Sequence, residues 1–165
     1  MVIQNIVNSS ESDTLVSMER IQFSDKNYAL DLDGNTGIAA KAIIATFGTD
    51  ALSTLMATVV PAVDAGYTLD GLCDVVVQMG LIESLAGSSD MSSFVEYVYG
   101  NVVARELDAF EKGMIGNIVN GPYSKSDLLK LAVSTVGIDS QVSSNAVDLI
   151  GVPGSVDGEL LAYLI

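Results

Sequence analysis

The spacing of apolar residues changes at residues 31–37, and this change constrains the fold more than any other feature of the chain. Residues 18–23 and 28–32 alternate between apolar and polar side chains, as β-strands do, and a turn-forming cluster at 24–27 separates them. Beyond Gly37 the apolar residues recur at the three- and four-residue spacing of helices. The sequence therefore predicts a short N-terminal β-hairpin within residues 1–35, followed by helices.

Cap and stop residues divide the part after Gly37 into six or seven helices. The first is predicted to end at Gly48, and the second to begin at Thr49, to be kinked or restarted at Pro61 and to stop at Gly66. A helix is also predicted over about 107–119, and residues 139–148 are predicted to add one or two turns. The predicted fold is mostly α, a multi-helix bundle. The other predicted helix caps are Thr68, Asp90 or Ser92, and Ser124.

Part of the helical pattern repeats at an offset of 56 residues. Residues 66–72 correspond loosely to residues 122–128, and Val76 then falls on Ala132. Each copy holds an apolar helix, a turn with a tyrosine, a hydroxyl cap and another apolar helix. We expect two similar helical units in one bundle, although two unrelated amphipathic helix pairs also give a pattern of this kind.

The acidic balance limits the kinds of partner. The chain has 21 acidic and 7 basic residues, which gives a formal net charge of −14, and the acids are dispersed along it. Such a surface repels nucleic-acid phosphates and anionic lipids, so neither nucleic-acid binding nor membrane insertion is expected. It attracts cations such as Ca²⁺, or it serves only to keep an apolar-rich protein in solution. Both interpretations stay open at this point.

The absence of histidine argues against most catalytic chemistry. Without histidine the chain lacks the usual general base and the usual zinc ligand. Its acids show no convergent pair, and no glycine-rich phosphate loop is present, so no enzymatic activity is expected. The single cysteine, Cys73, lies in the apolar run 72–77 and is predicted to be a small core residue. Because the chain has no tryptophan and only 6% aromatic residues, the core must consist mainly of aliphatic side chains.

Residues 31–37 hold the densest set of oxygen ligands in the sequence. Asp31, Asp33 and Asn35 occupy alternate positions, as in the opening of a calcium-binding loop. The EF-hand pattern fails further on, since the sixth position is Thr36 and the twelfth is Ala42. Two interpretations follow. In the first, calcium binds at Asp31, Asp33 and Asn35 with help from residues elsewhere in the fold. In the second, the loop is a strand-to-helix turn in which Gly34 and Gly37 adopt positive φ, and Asn35 or Thr36 caps the first helix.

The sequence shows no pattern of a signal peptide or a transmembrane span. Residues 1–5 have neither the basic start nor the long apolar stretch of a signal peptide. No apolar stretch reaches the roughly 18 residues of a transmembrane span. Residues 148–165 form a predicted tail with an apolar end at 160–165, which is expected either to dock on the fold or to act as an address signal.

Several segments together resemble a known kind of protein. M-E-R-I-Q-F-S-D at 18–25 and A-L-D-L-D-G-N-T-G at 29–37 are similar to the closing segment of RTX (haemolysin-type calcium-binding) repeat regions, V-E-R-L-x-F-x-D followed by A-L-D-x-x-G-x-A-G. F-V-E-Y-V-Y-G-N-V-V-A-R-E-L-D at 94–108 resembles F-V-x-x-L-Y-x-N-V-L-x-R-x-P-D of an uncharacterised helical domain that accompanies those repeats. Y-S-K-S-D-L-L at 123–129 is similar to a later helix start of that domain, so the resemblance covers about residues 14–145.

The chain departs from this family at identifiable points. Met18, Ile21 and Thr36 replace the family's Val, Leu and Ala, and Glu106 and Leu107 stand in the loop around its proline. The tryptophan of the following helix is missing, and so are the G-G-x-G-x-D calcium repeats themselves.

The resemblance implies a C-terminal helical module of a larger secreted bacterial protein, with type I export and an uncleaved C-terminal signal. The expected organisation is a hairpin at 1–35, a helical domain at 36–147 and a tail at 148–165. The expected function is non-enzymatic: a structural or interaction module of an adhesin-like or cell-surface protein, associated with calcium, whose partners are other domains of that protein or cell-surface components. The alternatives are an accessory substrate-binding domain of a secreted hydrolase and a cytosolic acidic scaffold.

Overall fold

The computed structural model describes residues 31–144 and, outside that range, the backbone of five short strand segments and the side chain of Arg20. Strands β1 and β2 pair antiparallel, as do β3 with β4 and β4 with β5. Strands β3 and β4 fall on the predicted hairpin, but most of residues 1–35 and of the predicted tail lie outside the described residues. The hairpin and the domain boundaries therefore stay predictions. The strand bounds are β1 Val2–Gln4, β2 Ser12–Thr14, β3 Arg20–Gln22, β4 Asn27–Ala29 and β5 Ile150–Gly151.

Eight α-helices occupy the described residues between Asn35 and Ser144, so the prediction of a mostly α bundle is confirmed. A single 3₁₀ turn, Thr49–Ala51, joins the first two helices. The predicted extra turns at 139–148 belong to a separate helix that begins at Val136. The number of α-helices in the described part is therefore eight, above the predicted six or seven. The helix bounds are α1 Asn35–Phe47, α2 Leu52–Asp64, α3 Leu69–Gln78, α4 Leu81–Ala86, α5 Met91–Val103, α6 Ala109–Val119, α7 Lys125–Val133 and α8 Val136–Ser144.

Helix α1 lies at the centre of the bundle and packs against α2, α3, α5, α7 and α8. It is apolar on nearly all sides, which is the pattern of a fully surrounded helix. Its alanines let neighbouring helices approach closely, while Ile43 and Ile44 fill the space between them. Phe94 of α5 is the largest fully buried side chain among the described residues, and Cys73 of α3 is 1% exposed, as predicted.

Three of the predicted helix caps are confirmed. Oxygens of the Thr68, Asp90 and Ser124 side chains accept hydrogen bonds from backbone N–H groups three residues later, at 3.1, 2.8 and 3.1 Å. The prediction at Thr49 is wrong: this residue begins the 3₁₀ turn, and α2 starts at Leu52 without a side-chain cap. Helix α2 continues through Pro61 to Asp64.

No single helix in the described part of the chain is long and apolar enough to cross a bilayer. The pair Thr49–Asp64 and Leu69–Gln78 reaches that length and composition only jointly, with a bend of 120° between its members.

Candidate functional site

Asp31 lies where the chain enters α1, and it gathers hydrogen bonds from three directions. Its carboxylate accepts from the Arg20 guanidinium of β3 and from the Thr36 hydroxyl, and the Thr36 backbone N–H lies 3.3 Å from Oδ2. Its backbone carbonyl accepts from the N–H of Gly34 at 2.9 Å. Asp31 therefore performs from outside the helix the task of an N-terminal cap.

Asp64 extends this network to the end of α2. One oxygen of its carboxylate lies 3.2 Å from the Arg20 guanidinium and 2.8 Å from the Asn35 amide nitrogen. Arg20 thus bridges Asp31 and Asp64 and joins β3 to the start of α1 and the end of α2. We call the group of Arg20, Asp31, Asn35, Thr36 and Asp64 the Asp31 junction.

The surroundings of Asp31 favour its ionised form. Burial raises the pKa of the carboxyl, but the hydrogen bonds from Thr36 and the charge of Arg20 lower it further than burial raises it. The net result is a pKa below the ordinary value, with a side chain only 14% exposed. A partly buried carboxylate whose ionised form is favoured in this way suits a charge-assisted contact with a guanidinium.

The glycines of this loop act differently from the sequence prediction. Gly34 occupies the N-cap position of α1 with φ −115°, and Gly37 is absent from the glycines with positive φ, so the predicted positive φ is wrong for both. Neither Asn35 nor Thr36 caps the helix, because both residues lie inside α1. Gly37 is needed for space instead: a Cβ at this position would lie 1.8 Å from the carbonyl oxygen of Leu32.

The three predicted calcium ligands are close in sequence but have different surroundings. Asp31 holds Arg20, whereas Asn35 turns its amide nitrogen to Asp64. Asp33 is exposed and lines a separate cleft of about 410 Å³ with Lys41 and Asp139, which form a salt bridge of 2.6 Å. Within residues 31–144 no group of three or more His, Cys, Asp or Glu side chains is arranged to hold a metal. The calcium site stays a prediction.

An apolar groove lies on the opposite part of the bundle, between α1, α2 and α3. Its volume is about 470 Å³, and Thr46 is the only polar residue among the described residues of its wall. Met79 at its edge is 39% exposed, and Leu55, Val59 and Val75 are partly exposed. Such a groove accepts apolar side chains and repels charged ones. The apolar groove is formed by Ala42, Ile43, Thr46, Phe47, Leu55, Val59, Leu72, Val75, Val76, Met79 and Leu81.

A third depression, of about 550 Å³, is polar and open. It lies between α5 and the start of α6 and holds Glu96, Tyr97, Asn101, Arg105 and Lys112 among its lining residues. Its charges are of both signs, so it has no strong preference for an anion or a cation.

Basic residues in the described part of the chain mainly tie elements together. Lys125 of α7 lies 2.8 Å from Glu83 of α4 and stands over the ring of Phe94 at 5.5 Å. Lys130 of α7 lies 2.7 Å from Asp74 of α3. With Arg20, Lys41 and Arg105, five of the six basic residues that the structure describes form salt bridges. The few basic side chains therefore form salt bridges that connect neighbouring elements on an otherwise acidic surface.

Sequence reasoning missed Asp64 and the apolar groove. Asp64 stands 44 residues from Arg20, and a single charged residue at a helix end carries no signal for such a partner. The groove did leave a signal: Val75 and Met79 are spaced as one helix face, beside the face of α3 that enters the core. When the apolar stripe of a helix is wider than its contact with the core, part of the stripe forms a second apolar surface.

Comparison of the chain with protein-family models, with curated proteins and with solved structures gave no match. The resemblance to the helical domain that accompanies RTX repeats therefore stays a prediction from the residues quoted above.

Proposed function

We propose that this chain is a non-enzymatic structural module of a larger exported RTX-like protein, adhesin-like or located at the cell surface. In this module the helical body is fastened to a preceding β segment. The observation that supports the proposal is the Asp31 junction: two of the three predicted metal ligands, Asp31 and Asn35, are engaged with Arg20 and Asp64 in joining β3, α1 and α2. The partners are the neighbouring domains of the same protein or components of the cell surface.

The helix bounds support a helical body of two similar four-helix units. Adding 56 to the bounds of α1, Asn35–Phe47, gives 91–103, which are the bounds of α5. Helices α3 and α7 also begin 56 residues apart, after the hydroxyl caps Thr68 and Ser124. The residues that follow α1 and α5, Gly48 and Ala104, both have positive φ, although alanine rarely adopts it.

Buried positions agree with the same offset. Leu72 and Leu128 are 4% and 7% exposed, and Ile82 and Ile138 are both 0% exposed. Ala39 and Ala42 of α1 correspond to the buried Val95 and Val98 of α5. Equivalent side chains that enter the core at a constant offset are the pattern expected of a duplicated unit.

The β-hairpin within residues 1–35 is the other part of the proposal. Its strands are taken to include β3 and β4, whose register pairs Arg20 with Ala29. A two-stranded hairpin is marginal in water, so it needs a larger body to support it. The Arg20 guanidinium supplies one such attachment, and β5, which pairs with β4 and lies against α2, supplies another.

Calcium enters this proposal as a weak ligand of residues 31–35. In this proposal the exposed Asp33 carboxylate and the Asn35 oxygen bind Ca²⁺, whereas Asp31 is shared with Arg20. Because a cation at Asp31 competes with the guanidinium, we expect a dissociation constant of roughly 10⁻⁴–10⁻³ M, which the calcium of extracellular surroundings can occupy.

Hydrogen–deuterium exchange tests the fastening role. In the variant Arg20→Met, the amides of β3 and β4 should exchange roughly tenfold faster, because the strands lose the Arg20 attachment and keep only the one through β5. Lys41→Met is the matched control, since it removes a salt bridge to Asp139 within the helical body. Equal exchange of β3 and β4 in the two variants would contradict the proposal.

Export is tested separately by fractionation of the native host. The proposal expects the protein that contains this chain in the medium or on the cell surface. Intact protein found only inside the cell would exclude the exported module and favour an acidic scaffold.

A further inference from the structure

We propose that the apolar groove holds residues 160–165 of this same chain. The proposal rests on the groove and on the sequence of that segment, and it does not depend on the fastening role of the Asp31 junction. The occupant is apolar and lies in the same molecule.

The walls of the groove define the chemistry of its occupant. Leu55 and Val59 of α2, Val75 and Met79 of α3 and the buried Ile43 of α1 line the space together. Among the described residues, no charged side chain lines the space, and the one hydroxyl, that of Thr46, belongs to a residue 1% exposed. A volume of about 470 Å³ lies within the range of pockets that bind small ligands, roughly 300–1,000 Å³. The groove therefore fits a few aliphatic side chains.

The segment at 160–165 has the complementary pattern. It contains no charged residue, and Leu160, Leu161, Leu164 and Ile165 are spaced so that a helix would present them on one side. An amphipathic helix that lays its apolar face into a groove is a common mode of recognition. The segment supplies four aliphatic side chains for a groove that accepts aliphatic side chains.

The connection is long enough for the segment to reach the groove. Strand β5, Ile150–Gly151, lies against α2, which forms one wall of the groove. The eight residues 152–159 span at most about 26–29 Å when extended. A helix with its side chains is about 10–12 Å across, so the linker can pass around α2.

Electrostatics favours this occupant over a second copy of the chain. Each copy carries a formal net charge of −14, so two copies brought face to face repel one another. Residues 160–165 bring no charged side chain and are already tethered to the bundle. Docking would shelter an apolar segment that would otherwise promote association.

Disulfide trapping in the full chain tests the proposal. The variant with Met79→Cys and Leu161→Cys places one thiol at the groove and one in the segment. The control carries Phe110→Cys and Leu161→Cys; Phe110 is also apolar and is 75% exposed on α6, which packs on α5. The native Cys73 is buried, and burial raises its thiol pKa to about 12, so it stays unreactive.

Under mild oxidation of dilute protein, the intramolecular disulfide should form roughly tenfold faster in the Met79 pair than in the Phe110 pair, because docking raises the effective concentration of the thiols. Equal rates overturn the proposal. Disulfide-linked dimers as the main product of the Met79 pair overturn it in favour of a second copy.

A second readout needs no new thiols. In the full chain with Leu161→Asn and Leu164→Asn, the groove should be left open and bind the neutral dye Nile red severalfold more strongly than the native chain does. Unchanged dye binding in a variant that keeps its helical circular dichroism overturns the proposal.

Discussion

At the scale of single residues, the neighbours of a carboxylate decide what it does. Asp31 and Asp33 are two positions apart, yet one is 14% exposed and holds Arg20 while the other is exposed beside a cleft. Glu111 at the start of α6 accepts two hydrogen bonds from Arg105, at 2.7 and 2.6 Å, one from Tyr99 and one from the Asp108 backbone. The sequence alone does not distinguish the surroundings of these three acidic residues.

Glu111 should make stability depend on pH. The hydrogen bonds from Arg105, with that from the Asp108 backbone, lower the pKa of Glu111 from 4.5 to about 2. Because the folded pKa lies below the unfolded one, the ionised group stabilises the fold above about pH 4.5 and loses this effect as the pH falls toward 2. The variant Glu111→Gln should be less stable at pH 7 and show a flatter decline between pH 4.5 and 2 in urea unfolding.

The neighbouring Glu106→Gln serves as the control, because the Glu106 residue is exposed on the loop between α5 and α6. The stability of the Glu106→Gln variant should depend on pH as that of the native chain does. If Glu111→Gln keeps the native pH dependence as well, the contacts with Arg105 contribute nothing to stability.

At the scale of elements, local signals predicted the helices well where the cap is a neighbour in sequence. Thr68, Asp90 and Ser124 each bond a backbone group three residues away, so a short pattern is sufficient to find them. The start of α1 could not be found in this way. The capping hydrogen bonds come from Asp31, which also binds Arg20 of β3. Gly37 is required because the Leu32 carbonyl lies close to it.

Two helical glycines should respond to substitution with opposite signs. Gly37→Ala drives a methyl group into the Leu32 carbonyl, which lies 1.8 Å from the new Cβ, and should destabilise the fold by about 1–3 kcal/mol. Gly113→Ala, in α6, meets no atom within 4 Å and should stabilise it by about 0.5–1 kcal/mol, because alanine favours the helix. Urea unfolding of both variants measures these free energies. Effects of the same sign would contradict the packing described for α1.

At the scale of the whole molecule, composition predicted an aliphatic core and an acidic surface, but not which charges meet. Buried aliphatic residues recur along α1, α3, α5 and α7, as the helical periodicity indicated. The contacts of Arg20 with Asp64 and of Lys125 with Glu83 join residues 44 and 42 positions apart. Such pairs follow from the packing of helices, and periodicity determines only which face of a helix is apolar.

Calcium should stabilise the molecule weakly and specifically. With a dissociation constant of about 1 mM, Ca²⁺ at about 10 mM raises the free energy of unfolding by about 1.4 kcal/mol. MgCl₂ at equal ionic strength is the control, because a chain of net charge −14 is stabilised by any screening salt. Asp33→Asn should abolish the specific part, whereas Arg20→Met should tighten binding by freeing Asp31. No difference between the two salts would exclude the calcium proposal.

A double-mutant cycle on Arg20 and Asp31 tests the central claim, the fastening of the β segment to the helical body, most directly. The native chain, Arg20→Met, Asp31→Asn and the double variant are unfolded in urea at neutral pH without added calcium. The two side chains are 33% and 14% exposed, so we predict a favourable coupling free energy of about 1 kcal/mol. A coupling free energy of about zero, with additive effects of the single substitutions, would contradict the claim.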